Sequence, residues 1–163
     1  MMRVILESLR KEGKLLCRGT GRREFQKLAS ELVKRNELAE IRTAISRAYY
    51  ATHNVGAEIL TGMGFEIVEG AGGHGDVWNR LSNSGDSEVM RVGSQLSNLH
   101  TTRIHADYWL NRKEVENQKI GQALVKQANR MIQILDECYS EPKRTQIIKA
   151  IQDWEQKISG GKS

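Results

Sequence analysis

Two stretches of this chain carry side chains whose types and spacing could do chemistry. Between Leu38 and Leu60, Arg47, Tyr50 and His53 follow one another at intervals of three, which places them on one face of a helix, with Thr43, Ser46 and Asn54 flanking them. A guanidinium can stabilise the charge of a phosphorane, and an imidazole can carry the proton that phosphodiester cleavage must move, so no metal is required. The bland reading of that face is solvated or inter-helix polarity. Between Ser87 and Leu110, Val92, Leu96, Leu99, Ala106 and Leu110 form an apolar stripe with Arg103 in its centre. A charge in such a stripe needs a partner; Asp107, four residues on, and His100, three residues back, both reach it, while His105 points roughly the opposite way. The bland reading there is an Arg–Asp pair that fixes helix register.

Other groups are weaker pointers. Tyr49, Tyr50, Tyr108 and Trp109 could stack bases, or anchor a core or a dimer interface. His74 stands in a glycine-rich segment and reads as a loop histidine. The four histidines show neither a His-x-x-x-His nor a Glu-paired pattern, so no metal site and no cofactor are expected.

These residues have to be positioned by helices. Phe25, Leu28, Ala29, Leu32 and Val33 predict a helix from Arg22 to about Arg35, after a short helix in the first ten to twelve residues and a loop at Cys17–Gly21. Ile41, Ala44, Ile45, Ala48, Thr52, Val55 and Ile59 give the Leu38–Leu60 helix its apolar stripe, with alanines that let a neighbour approach. The glycines from Gly62 to Gly75 predict an irregular loop, extended at most over Phe65–Val68, and then a short helix at Asp76–Leu81. That loop is no phosphate-binding P-loop, because the Lys and Ser or Thr of that motif are missing. A helix is expected over Ser87–Leu110. Asn111 and Glu114 match a capping box, so another is expected from there to about Tyr139, along Ile120, Leu124, Ala128, Met131, Leu135 and Cys138. Pro142 suits the start of a last helix running to Ile158, and the final residues from Gly160 on read as a frayed end.

The fold class expected is therefore all-α. With 163 residues, 39% of them hydrophobic and 28% charged, the chain reads as one globular domain over residues 1–163, whereas a disordered protein would have less apolar material. One proline and few aromatics count against an all-β design. A net charge of +5 mildly favours polyanionic partners. Cys17 and Cys138 form no disulfide framework or zinc motif, and the start lacks a secretory signal, so a cytoplasmic protein with no membrane association is expected.

The stretches Ile45–His53 (ISRAYYATH), Gly73–Trp78 (GHGDVW) and Arg103–Tyr108 (RIHADY), in that order, resemble the HEPN superfamily, in the branch that carries Ser-Arg-x-Tyr-Tyr-Ala and later an Arg followed by Ala-Asp-Tyr. The resemblance spans about residues 22–139, leaving a C-terminal helix at about 142–158. It implies a bundle of four to five main helices, with an extra helix at each end, that usually dimerises and gathers functional residues of both chains at a shared cleft. Many members are metal-independent endoribonucleases of toxin, phage-defence or CRISPR-effector type, whose site is an Arg, four to six residues, and a His on a late helix. Here the late helix carries Arg103 and Asp107, and the Arg-to-His spacing occurs earlier, at Arg47 and His53. The resemblance thus implies His53 as the proton-transfer group, Arg47 and Arg103 as phosphate stabilisers, Asp107 as the group orienting Arg103, and Ser46, Tyr50, Asn54 and His100 along the cleft. Other members are inactive partners of minimal nucleotidyltransferases that accept an adenylyl group on a tyrosine, for which Tyr108 is the candidate. The alternative to an RNA-cleaving homodimer is a non-catalytic module that binds RNA, a nucleotide, an antitoxin or an effector-complex protein.

Overall fold

The structure, a computed structural model, describes residues 20–68 and 70–160, and among these every regular element is helical. The expected helix in the first twelve residues, Cys17 and the last three residues lie outside the described residues. In chain order the elements are α1 (Thr20–Leu32), α2 (Leu38–Gly62), α3 (Ala71–Ser82), α4 (Ser87–Tyr108), a 3₁₀ turn (Lys113–Glu116), α5 (Gln118–Cys138) and α6 (Lys143–Gly160). Helix α2 is the central element and packs against α1, α3, α4 and α5. Its Ala44, Ala48 and Ala51 are buried with Ile41, Ile45, Val55 and Ile59, and such small side chains let several helices approach one axis. Leu96 and Leu99 of α4, Met131 and Leu135 of α5, and Ile147 and Ile151 of α6 complete the core.

Helix ends follow local chemistry. Asp86 caps α4, its Oδ1 accepting from the Glu88 and Val89 N–H groups at 3.1 and 3.0 Å. After α2, Gly64 sits at φ 98°, a left-handed conformation suited to glycine, and the Phe65 N–H returns to the Leu60 carbonyl. The expected helix start at Asn111 is corrected: Asn117 is the cap, its Oδ1 accepting from the Lys119 and Ile120 N–H groups, and Glu114 belongs to the 3₁₀ turn. Asn111 lies in the turn after α4, too far from the first turn of α5 to cap it.

A larger correction concerns the glycine-rich loop. Helix α3 starts at Ala71, so the segment Gly72–Gly75 is helical and His74 belongs to its first turn, not to a loop. Glycine disfavours a helix interior by about 1 kcal/mol, and here tertiary contacts override that preference. A Cβ on Gly73 would overlap the Val68 carbonyl, and one on Gly93 of α4 would overlap the Ser82 backbone and hydroxyl, so both close approaches require glycine. Val77 and Leu81 meanwhile bury one face of α3.

Buried Arg42 ties α2 to the far end of α4. Its guanidinium donates to the carbonyls of His105, Ala106, Trp109, Leu110 and Arg112, and to Glu116 Oε1 at 2.9 Å. The carbonyls at the end of α4 and in the turn after it gather the negative end of the helix dipole, and a cation is the favoured group there. The α4 end, and with it Arg103 and Asp107, is fixed to α2.

Candidate functional site

Where α2, α3 and α4 meet, three imidazoles surround one tyrosine. Tyr49 of α2 is fully buried, and its ring lies 5.7 Å from His53, 5.7 Å from His74 and 5.2 Å from His100, centroid to centroid. His53 and His74 stand 4.7 Å apart, His74 and His100 5.1 Å, and Trp78 closes the row 4.9 Å from His100. The three histidines and Trp78 are half-buried.

Hydrogen bonds hold two of the rings. Burial pushes the Tyr49 hydroxyl up in pKa, so it keeps its proton, and it shares a 2.7 Å hydrogen bond with His74 Nδ1. The His53 ring is held between Asn54, whose Oδ1 lies 3.4 Å from Nδ1, and the Gly73 backbone, and its Nε2 is covered. All three imidazoles are held in the neutral form. Burial lowers the pKa of His53 against the upward pull of hydrogen bonds to Asn54 and the Gly73 backbone, with Arg103 adding to the fall; burial, His53 and Arg103 lower that of His74; and burial, Arg103 and the other two imidazoles push His100 down to about 4.

The cation behind this ring cluster is Arg103, whose side chain is only 7% exposed. Its guanidinium carbon lies 5.3 Å from the Tyr49 ring and 5.2 Å from the Tyr50 ring, close enough for cation–π attraction. Its one ion pair, Nη1 to Asp107 Oδ2, is 3.7 Å long, and its Nε has no partner. Arg47 lies on the other side of the site, its guanidinium 5.2 Å from both the Phe25 and the Tyr50 rings and donating to Ser46 Oγ at 3.4 Å. Ser46, buried, donates to Asp107 Oδ2 at 3.1 Å. Asp107 therefore links the two arginines, one directly and one through a hydroxyl.

Of the residues singled out from the sequence, Arg47, Ser46, Tyr50, Arg103 and Asp107 form one connected group, and His53, Asn54 and His100 join it through Tyr49. The imidazole of His53 feels the charge of Arg103 from α4, whereas Arg47, six residues earlier on its own helix, faces Phe25 and Tyr50. Tyr108 is not brought in: it is 71% exposed at the end of α4. Tyr49, His74 and Trp78 are functional candidates that sequence spacing did not single out. The signal for Tyr49 was its i, i+4 relation to His53; His74 and Trp78 stood in the Gly73–Trp78 stretch, Trp78 inside the helix expected at Asp76–Leu81, but tertiary packing extends that helix back to Ala71 and takes His74 into it. Among the described residues, no three His, Cys, Asp or Glu side chains are grouped as ligands for a metal ion, and no helix is long and apolar enough to cross a membrane.

Comparison with protein-family models, curated proteins and solved structures finds no match for the chain. What this site can do is set by its own geometry.

Proposed function

We propose that the chain is a HEPN-type protein acting on RNA: a homodimeric, cytoplasmic, metal-independent endoribonuclease of toxin, phage-defence or CRISPR-associated kind. The observation that carries this reading is Arg103, a buried guanidinium with one long ion pair and an unpartnered Nε, set beside imidazoles held neutral. A buried cation so weakly compensated favours an entering anion, and a neutral imidazole is the form that accepts a proton. In this reading His53 Nε2 takes the proton of a ribose 2′-hydroxyl, whose oxygen attacks phosphorus. The bond to the 5′-oxygen breaks, and the His53 imidazolium gives the proton it took to that leaving oxygen. Arg103 and Arg47 stabilise the charge on the phosphorane, Asp107 orients both, and Tyr50 holds the two guanidiniums apart.

A second reading, a non-catalytic module that grips RNA, a nucleotide or a partner protein, is favoured by one specific fact: His53 Nε2 is covered in the free chain. Incubation of the purified chain with a structured RNA in EDTA decides between them. Cleavage by the wild type that falls at least about 100-fold in a folded His53→Ala variant supports the nuclease, since general base catalysis supplies about 10²–10⁴. Unchanged cleavage in the variant removes His53 from the mechanism. Absence of cleavage by the wild type, with binding that weakens as salt rises, establishes the binding module.

A further inference from the structure

We propose that His53, His74 and His100, with Arg103, form a proton-coupled site for a dianionic phosphoryl group: the anion binds and the cluster takes up a proton with it. The proposal deepens the reading above in taking the same cluster as a phosphate site, but it requires no cleavage.

The charges that face this cluster are few. From α2 come Arg47, the hydroxyls of Tyr49 and Tyr50, and His53; from α3, His74; from α4, His100, Arg103 and Asp107. Helix α1 contributes the uncharged Phe25 ring. Farther along α3, Asp76 and Arg80 are paired with each other at 3.0 Å, and Arg80 also with Glu155 of α6. Among the described residues, the guanidiniums of Arg47 and Arg103 against the carboxylate of Asp107 leave one net positive charge beside three neutral imidazoles. That is one charge short of what a phosphate monoester, or the phosphorane of a diester reaction, presents. The missing charge is available on the rings themselves, because burial and the field of Arg103 are what keep them neutral. An anion cancels that field, and a second proton-bearing nitrogen then replaces a bare lone pair that would repel it.

The Nε of Arg103 and the Nε2 of His53 are buried polar atoms without a hydrogen-bond partner, and His74 stands 4.7 Å from His53, so an anion admitted by side-chain movement would meet an idle donor and titratable rings together. His74 also lies in the first turn of α3, where the positive end of the helix dipole adds to the attraction. An internal phosphodiester, with one negative charge, needs none of this extra proton. The site therefore prefers a terminal phosphate, or the doubly charged state through which cleavage passes.

Inorganic sulfate tests this in the intact chain, because it stays a dianion across the range in which histidines titrate. Adding sulfate near neutral pH, at constant ionic strength, is expected to move the ring nitrogens of His53 or His74 to imidazolium positions in long-range ¹H–¹⁵N NMR spectra. Its affinity should rise as the pH falls, by up to about tenfold per pH unit for one proton taken up, and level off below the free imidazole pKa values. A folded His74→Asn variant should flatten that slope; where this variant does not fold, the wild-type spectra decide alone. At about pH 7.5 methyl phosphate should bind more tightly than the monoanion dimethyl phosphate. No sulfate binding, binding without movement of the ring nitrogens, or an affinity independent of pH would overturn the proposal, as would equal affinity for the two esters. Absence of RNA cleavage alongside proton-coupled sulfate binding removes the nuclease reading and keeps this one; cleavage alongside pH-independent sulfate binding does the reverse.

Discussion

Arg42 and Arg103 are both buried arginines, and they are used in opposite ways. Arg42 spends its donors on five carbonyls at the end of α4 and on Glu116. Arg103 has two aromatic faces, one ion pair of 3.7 Å and an idle Nε. Replacing a whole buried ion pair by apolar groups is often neutral, whereas removing one member leaves the other charge uncompensated, a cost that falls where the remaining group is part-exposed and hydrogen-bonded, as Asp107 is. Arg42→Met should therefore destabilise the fold by about 3 kcal/mol, because Glu116 is left without its cation in a largely buried pair and the Ala106 carbonyl loses its side-chain donor. Arg103→Met should cost less than Arg42→Met, because its single ion pair is long and Asp107 keeps its bond from Ser46. Urea denaturation of the two variants beside the wild type measures both, and RNA or sulfate binding should vanish in the second alone.

Helix α3 is the element on which the candidate site depends most, and it is the one with the weakest local preference for its own structure. Four of its first five positions are occupied by Ala71, Gly72, Gly73 and Gly75, with His74 between them. What makes it helical is the way it packs: Gly93 brings the α4 backbone against Ser82, and Val77 and Leu81 enter the core. A methyl at Gly93 has no room, so Gly93→Ala should cost about 1–3 kcal/mol as the two helices separate. Thermal melting reads that loss. In the same variant the Trp78–His100 contact, 4.9 Å in the wild type, should loosen, seen as a change in tryptophan fluorescence.

At the scale of the whole molecule, the clustered imidazoles make stability depend on pH. Each of the three has its folded pKa below its unfolded value, so the folded chain binds fewer protons than the unfolded one in this window. The stability they contribute is complete above the unfolded value of about 6.5. It is lost as the pH falls toward the folded value, which for His100 is about 4. The melting temperature should therefore drop between pH 7 and pH 4.5, and His100→Phe, which keeps a ring against Trp78, should shrink the drop. Asp86 acts lower on the scale. Against the upward push of burial, the Val89 N–H and the Lys143 ammonium hold its carboxyl below the usual range, so its contribution fades only at more acid pH. With a net charge of +5 before any histidine is protonated, proton uptake also adds to self-repulsion.

Periodicity in the sequence was enough to determine an all-α chain, because the apolar stripes of α2, α4 and α5 repeat at the helical interval whatever they pack against. The same spacing placed Arg47, Tyr50 and His53 on one face and marked Arg103 as a charge in an apolar stripe, with Asp107 within its reach. Those are relations within single helices, where distance along the chain and distance in space are tied together. The structure decided what lies between helices: that Arg103, and not Arg47, stands with the imidazoles; that Asn117, and not Asn111, caps α5; that Tyr108 faces outward; and that His74 joins the cluster. The case of His74 shows the physical reason. A glycine-rich segment has almost no local preference to read, so its conformation is set by the close approach of Val68 and of α4, contacts that exist only once the chain has folded.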